Sequence, residues 1–331
     1  MTSENPITDP YGRPIQYLRL SVTDRCNLRC HYCMPAGGID YVKRSMLLSY
    51  EEMYRLVNLL SEHGVGKLRI TGGEPFVRKD LMKFLASISG LKNLKKISIT
   101  SNGVFLGEYL PGLKDLGINS INLSLDSLDR KRFNEITRRD DFEKVMDTFH
   151  ALIDLDFMVK INMVVMEGVN EHEINPMAEL AMRYPISVRF IEEMPFNGGS
   201  GRQPTLRWNH VKIKESLHQH FGKLVPVASE KDSTAERFRA EDMPGDLGII
   251  AAYSRTFCGT CNRIRIGATG GFRTCLYGPE VLNFRDFMRS GHSDDALIEA
   301  FKKVIEKRAR NGLQAEKLAK EKSTSMSILG G

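Results

Sequence analysis

The sequence predicts an α/β fold: a parallel sheet with helical crossovers, curved around a wet interior. Three observations carry that expectation. Short apolar strands alternate with helical segments six times before about residue 195, the pattern of repeated βα units. Residues two apart on a strand share a face, and on these strands one face is polar. After about residue 195 the alternation stops and a region of different character begins. Six units are too few for a closed eight-fold barrel, and the polar faces argue against a dry, packed interior. Burying so many polar groups unpaired would cost roughly 2–7 kcal/mol each. A lumen filled by a ligand removes that cost. The alternatives are that the faces are reversed, or that the strands lie in a flat doubly wound sheet.

The elements follow in order. Tyr17–Ser21 reads as the first strand, with Arg19 and Ser21 on its polar face. Ser49-Tyr50-Glu51-Glu52 has the form of a capping box, opening a helix that runs to about His63 and stops at Gly64. Lys67–Thr71 is the second strand and shows Lys67, Arg69 and Thr71 on one face; Lys96–Ser101 is the third. Ser120–Leu125 is the fourth, with Asn122, Ser124 and Asp126 opposite Ile121, Leu123 and Leu125. Asp141–Asp154 has helical apolar spacing at Phe142, Val145, Phe149 and Leu152. Phe157–Val165 offers Lys160 and Asn162, and Ser187–Ile191 offers Ser187 and Arg189. Pro195–Gly201 is rich in turn formers. Beyond it come a helix near Asn209–Phe221, a cysteine cluster in short strands, and helices at Phe284–Phe287 and Asp294–Glu306. The charged stretch Lys302–Lys322 reads as a solvated helix. The expected division is residues 1–200 and residues 201–331.

Composition narrows the class. The chain has 331 residues, 41% of them hydrophobic, enough to bury a full core. The formal net charge of +6 suits an anionic small substrate as well as it suits nucleic acid. No apolar run approaches the ~18 residues of a membrane span. The polar N-terminus lacks the apolar stretch of a signal peptide. A cytoplasmic protein is expected, and six cysteines in that compartment point to metal ligation or catalysis.

Those six fall into two groups of three. Cys26, Cys30 and Cys33 form a C-x3-C-x2-C loop directly after the first strand. Closed zinc sites almost always use four ligands, so three close thiols favour a [4Fe–4S] cluster with one open iron. Zinc with His31 as fourth ligand is the alternative, made awkward by the position of His31 between two ligands. This loop, with Tyr32 before its last cysteine, resembles the signature of the radical S-adenosylmethionine superfamily. The superfamily fold is an incomplete (βα)6 barrel. Gly72-Gly73-Glu74-Pro75, at the end of the second strand, resembles the superfamily's GGE motif. The resemblance implies S-adenosylmethionine contacts at Tyr32, Gly73, Ser124 and Met194. The paired glycines are expected to let a ligand approach the backbone.

Cys258, Cys261 and Cys275 form the second group. No further cysteine remains to complete a zinc ribbon, and His210 and His292 are far away in sequence although folding could bring either near; a second [4Fe–4S] cluster with an open iron is the better reading. Arg263 and Arg265 alternate with Ile264 and Ile266 and so share one face. With Arg19, Lys67, Arg69, Lys160 and Arg189 they make seven cations for one lumen. Arginine forks suit phosphate, and seven cations suit a nucleoside triphosphate.

Together these features resemble the GTP 3′,8-cyclase family of molybdenum cofactor biosynthesis. The residues that carry the resemblance are Arg19–Cys26, the GGEP turn, Ser124–Ser127, Arg189–Pro195 and Phe257–Arg265. The resemblance implies that a 5′-deoxyadenosyl radical takes the ribose 3′ hydrogen of GTP and that C3′ then joins C8, giving 3′,8-cyclo-7,8-dihydroguanosine triphosphate. It implies GTP contacts at Arg19, Lys67, Arg69, Thr100, Lys160, Arg263, Ile264 and Arg265, with Arg189 added. Arg263, Arg265 and the terminal Gly330 and Gly331 carry over as catalytic. Flavodoxin or ferredoxin is expected as electron donor, and cyclic pyranopterin monophosphate synthase as recipient of the product. Neither nucleic acid nor membrane is an expected partner, and a homodimer is left open. The rivals are a peptide-modifying radical enzyme and a zinc-containing nucleic-acid-binding protein, whose binding would weaken steeply with salt.

Overall fold

A computed structural model describes residues 6–197, 204–228, 233–319 and 325–329. The six expected strands are present: β1 (Tyr17–Ser21), β2 (Lys67–Thr71), β3 (Lys96–Ser101), β4 (Ser120–Ser124), β5 (Met158–Val165) and β6 (Ser187–Glu192). They lie side by side in chain order, all parallel. The crossover helix Tyr50–Glu62 starts on the expected capping box, with Ser49 and Glu52 exchanging hydrogen bonds. Asn209 caps the helix His210–Phe221 in a similar way, accepting from Val211 and Lys212.

The C-terminal part is built into the sheet. It supplies β7 (Val225–Pro226), β8 (Ala235–Arg239), β9 (Asp246–Ile250), β10 (Arg263–Ile266), β11 (Gly271–Arg273) and β12 (Leu282–Asn283). β9 pairs parallel with β6, and β10 pairs parallel with β1. Eight parallel strands therefore run from β10 to β9, with short antiparallel strands outside each. β9 and β10 do not pair with each other among the described residues, so the barrel stays open.

The two faces differ as the alternation requires. Leu18, Leu20, Leu68, Ile70, Ile99, Ile121, Leu123, Ile161 and Val188 are fully buried in one apolar core with the helices. The opposite face carries Arg19, Arg69, Ser98, Lys160 and Arg189, which line a cavity. A flat doubly wound sheet would cover both faces with helices, so the open barrel with a wet lumen is the observed solution.

One expectation needs correction. The stretch Lys302–Lys322 is not one solvated helix. The helix Asp294–Ile305 ends, and a new one, Gly312–Leu318, starts at the Asn311 cap. Between them Arg308 is buried. The helices Leu81–Ser89, Leu110–Asp115 and Arg130–Thr137 lie where helical crossovers are expected, although the apolar pattern does not bound them. No helix among the described residues is long and apolar enough to cross a membrane.

Candidate functional site

Beyond the carboxyl end of β1 the chain turns through Cys26, Cys30 and Cys33. The turn is held by backbone bonds from Arg29 to Thr137, from His31 to Ile136, and from Cys33 and Met34 to Cys30. Asn102 Nδ2 lies 3.7 Å from Cys26 Sγ. The three thiols and all four expected S-adenosylmethionine contacts, Tyr32, Gly73, Ser124 and Met194, line one cavity of about 190 Å³. His31 lines neither this cavity nor the larger one; its ring meets Tyr32 edge-on. Tyr32 donates its hydroxyl to Asp126 at 2.7 Å, and burial pushes the Asp126 carboxyl up to about 6.

The glycine pair lines this cavity and has a second role as well. Gly73 N–H donates to Thr23 and Glu74 N–H to Arg25. A Cβ on Gly73 would lie 2.1 Å from the Arg25 carbonyl oxygen, and one on Gly72 would lie 2.8 Å from that of Thr23. The pair lets the β2 turn dock on the backbone leading into Cys26. Glu74 then accepts from Ser101 Oγ and from the N–H groups of Phe76 and Asn102, and burial pushes its carboxyl up to about 7.

A second cavity, of about 380 Å³, fills the lumen. It is lined by Arg19, Lys67, Arg69, Thr100, Lys160, Arg189, Arg263 and Arg265, together with Cys258, Cys261 and Cys275. Ile264 alone among the expected GTP contacts turns away: its side chain is fully buried in the apolar core. The alternation that sends Arg263 and Arg265 inward sends Ile264 outward. Gly330 and Gly331 lie outside the described residues.

Register explains the charge density. Arg265, Arg19 and Arg69 are direct lateral neighbours on β10, β1 and β2, about 4.8 Å apart by strand spacing. Like charges so placed repel. Burial, and after it Arg69, pulls Arg19 down to about 10. Burial also lowers Arg69, Arg189 and Arg265. Tyr17 lies between Arg69 and Arg263, 5.6 and 5.7 Å from its ring centre. Burial raises its phenol, but the arginines outweigh this and bring it below its usual value. Ten Lys and Arg side chains line this cavity against one acid, Asp246, among the described residues. Asp246 is itself paired with Arg237 at 2.7 Å.

The second thiol triad is framed from the N-terminus. Buried Asp9 accepts from Arg13 Nε at 2.6 Å and Arg308 Nη1 at 3.1 Å. Arg13 donates to the Cys258 carbonyl, and Arg308 to the carbonyls of Thr274 and Arg263. Arg308 Nη2 lies 3.6 Å from Cys261 Sγ. Burial raises the Cys261 thiol, but Arg263 and Arg308 outweigh it, and the net direction is down. Nothing in the cysteine spacing signals this network, because its members lie about 250–300 residues apart in sequence.

The two cavities share a wall made by Thr100, Asn162, Ile191, Met194 and Met326. Below it, buried Glu192 at the end of β6 accepts from His210, Tyr253 and Ser254. That carboxylate ties the first cavity to the segment leading into Cys258. The sequence reading named Glu192 only as part of a motif, and it missed Arg308, Asp9 and Arg255.

Comparisons agree with this geometry. The radical SAM superfamily model matches residues 20–181, and the molybdenum cofactor synthesis C model matches residues 186–313. "GTP 3',8-cyclase, mitochondrial" of Arabidopsis thaliana is 38% identical, over 99% of this chain and 85% of that protein. "GTP 3',8-cyclase" of Syntrophomonas wolfei is 40% identical, over 88% of this chain and 90% of that protein. "Molybdenum cofactor biosynthesis protein 1" of Mus musculus is 38% identical over 98% of this chain. The chain spans about half, 51%, of the length of that relative. Streptococcus suis SuiB bound to S-adenosylmethionine has the same fold, with a TM-score of 0.63 at 14% identity over 96% of this chain and 75% of that one. Fold and thiol loop place the protein in the radical S-adenosylmethionine class. Within that class, the chain belongs to the GTP 3′,8-cyclase family.

Proposed function

We propose that this protein converts GTP to 3′,8-cyclo-7,8-dihydroguanosine triphosphate in the first step of molybdenum cofactor synthesis. The observation that carries this reading is the charge contrast across a shared wall. Ten cations line the larger cavity, while the smaller has Glu74 and Glu192 and no Lys or Arg among its described lining residues. The acidic cavity suits the cationic sulfonium of S-adenosylmethionine, and the basic one suits a triphosphate.

Cys26, Cys30 and Cys33 would hold one [4Fe–4S] cluster, and Cys258, Cys261 and Cys275 a second. The donor chemistry fits. Each triad offers three thiols on a cavity wall, one ligand fewer than a closed zinc site uses, which suits a [4Fe–4S] cluster with one open iron. A cluster held by Cys26, Cys30 and Cys33 would supply, when reduced, the electron for cleaving the sulfonium.

The chain's own residues do the rest. Tyr32, Gly73, Ser124 and Met194 orient S-adenosylmethionine. Arg19, Arg69 and Arg265 grip the triphosphate, with Lys67, Lys160, Arg189 and Arg263 around them and Thr100 on the shared wall. At Ile264, whose side chain is buried in the core, a contact would come through the backbone. Gly330 and Gly331 are assigned to the same site by family. Residues 1–200 form the radical half and residues 201–331 the second-cluster half. A flavodoxin or ferredoxin donor, a downstream pyranopterin synthase and a cytoplasmic setting complete the reading.

Anaerobic reconstitution with iron, sulfide, GTP, S-adenosylmethionine and a strong reductant tests it. About eight irons per chain are expected for two cubes, with 5′-deoxyadenosine formed only when GTP is present. Cleavage that proceeds fully without altered GTP would overturn the substrate assignment.

A further inference from the structure

Arg255 is absorbed by none of the roles above. It stands three residues before Cys258 with φ at +59°, in the left-handed region, a conformation that costs an arginine energy and clusters at functional sites. Its side chain is 5% exposed and lines the larger cavity. The guanidinium lies 3.7 Å from the centre of the Tyr277 ring, and Nη2 meets Glu316 at 2.9 Å. Gly312 makes room for it: a Cβ there would sit 2.8 Å from Arg255 Cδ and 3.5 Å from Cys258 Sγ. Beyond Tyr277, which it lies against, the guanidinium has no acceptor for its buried Nε and Nη1 among the described residues. A purely structural fastener has little reason to leave donors so poorly met in a strained backbone, since each is costly.

These donors seek an acceptor in the cavity. Glu316 offsets the charge of Arg255, whereas Arg265, Arg19 and Arg69 stand together without a carboxylate among them in the lateral row. Phosphates belong to that row, and a neutral acceptor belongs to Arg255. In purines such an acceptor separates the bases: guanine presents O6, and adenine places a donor amino group there.

We propose that Arg255 is a substrate-recognition residue that donates to the carbonyl oxygen of the guanine base, and so favours GTP over ATP. This rests on GTP as the substrate. The flat guanidinium, stacked on Tyr277 and pinned by Glu316, is already ordered for the contact, so little entropy is lost on binding.

Equilibrium binding of GTP, ATP and inorganic triphosphate to cluster-loaded protein tests the assignment. Arg255→Ala should weaken GTP about tenfold or more. It should leave triphosphate binding and iron content unchanged, and narrow the GTP-to-ATP ratio. Arg255→Lys should restore part of the ratio, and Glu316→Gln, which keeps the donors, should preserve most of it. Equal weakening of GTP and triphosphate would overturn the base contact in favour of a phosphate contact. Loss of iron in Arg255→Ala and Arg255→Lys alike would overturn it in favour of a structural fastener. Unchanged GTP binding would remove any role. Wild-type protein that binds triphosphate but not GTP any better would instead refute the substrate reading on which this one stands.

Discussion

The two thiol triads differ in spacing, C-x3-C-x2-C against C-x2-C-x13-C, and they sit in different electrostatic surroundings. At the first, burial pushes all the thiols up: Cys26 to about 12 with Glu74 adding to it, Cys30 further with Asp126 adding to it, and Cys33 to about 11 against hydrogen bonds from Ser327 and Ser325 that lower it. At the second, burial likewise raises Cys258 and Cys275, but arginines frame the loops and Cys261 is drawn down by Arg263 and Arg308. Thiolates are the ligands of metals. The first site therefore has no thiol favoured as thiolate by the protein, while the second has one, Cys261. The contrast teaches that one kind of ligand loop can serve two partners of opposite charge, with the flanking strands deciding which.

The largest test of this contrast removes one ligand from each site. Cys30→Ala should remove about half the iron and abolish 5′-deoxyadenosine formation, while GTP affinity stays near wild type. Cys261→Ala should remove the other half, weaken GTP and spare S-adenosylmethionine binding. Iron analysis with calorimetric binding of each ligand checks both. If either variant loses both ligands equally, the two sites are not separate.

A smaller effect is expected within the basic row. Arg69→Ala should weaken GTP about 10–100-fold, the worth of charge-assisted bonds to phosphate. Added salt should weaken GTP binding in the wild type far more than S-adenosylmethionine binding, since screening acts on the net charge of the cavity. Titration calorimetry at low and high ionic strength reads both.

The smallest effect concerns the link between the sites. Burial raises the Glu192 carboxyl, but hydrogen bonds from Ser254 and His210 outweigh it and hold the group below the usual carboxylate range. A depressed carboxylate stabilises the fold above its unfolded pKa and loses that contribution as pH falls through the folded value. Glu192→Gln should therefore lower Tm by about 2–4 °C near neutral pH, and the deficit should shrink as pH falls below the usual carboxylate range. A constant deficit at all pH values would show that shape, not charge, matters at this position.

Much of the fold was legible because it rests on local patterns. The strand positions and their polar faces follow from a period of two. The capping box at Ser49 marks a helix start that the structure reproduces. What local patterns hid was decided by tertiary contacts. Arg308 reads as solvent-facing in a charged stretch, yet Asp9, 299 residues away, draws it inside. Gly72 and Gly73 read as ligand-facing and do line the smaller cavity, but the sequence does not show that the backbone of the cysteine loop also packs over them.

By itself the sequence determined the two thiol triads, the cations and the side of each strand on which they stand, because those depend on neighbours within a few residues. Only the tertiary structure decided that β9 and β10 would pair with opposite edges of the N-terminal sheet. That pairing sets Arg265 beside Arg19, brings Arg255 to the cavity wall and closes a basic lumen against an acidic one. Strand partners some 60 to 250 residues apart are chosen by register, burial and packing across the whole sheet, which no local period encodes.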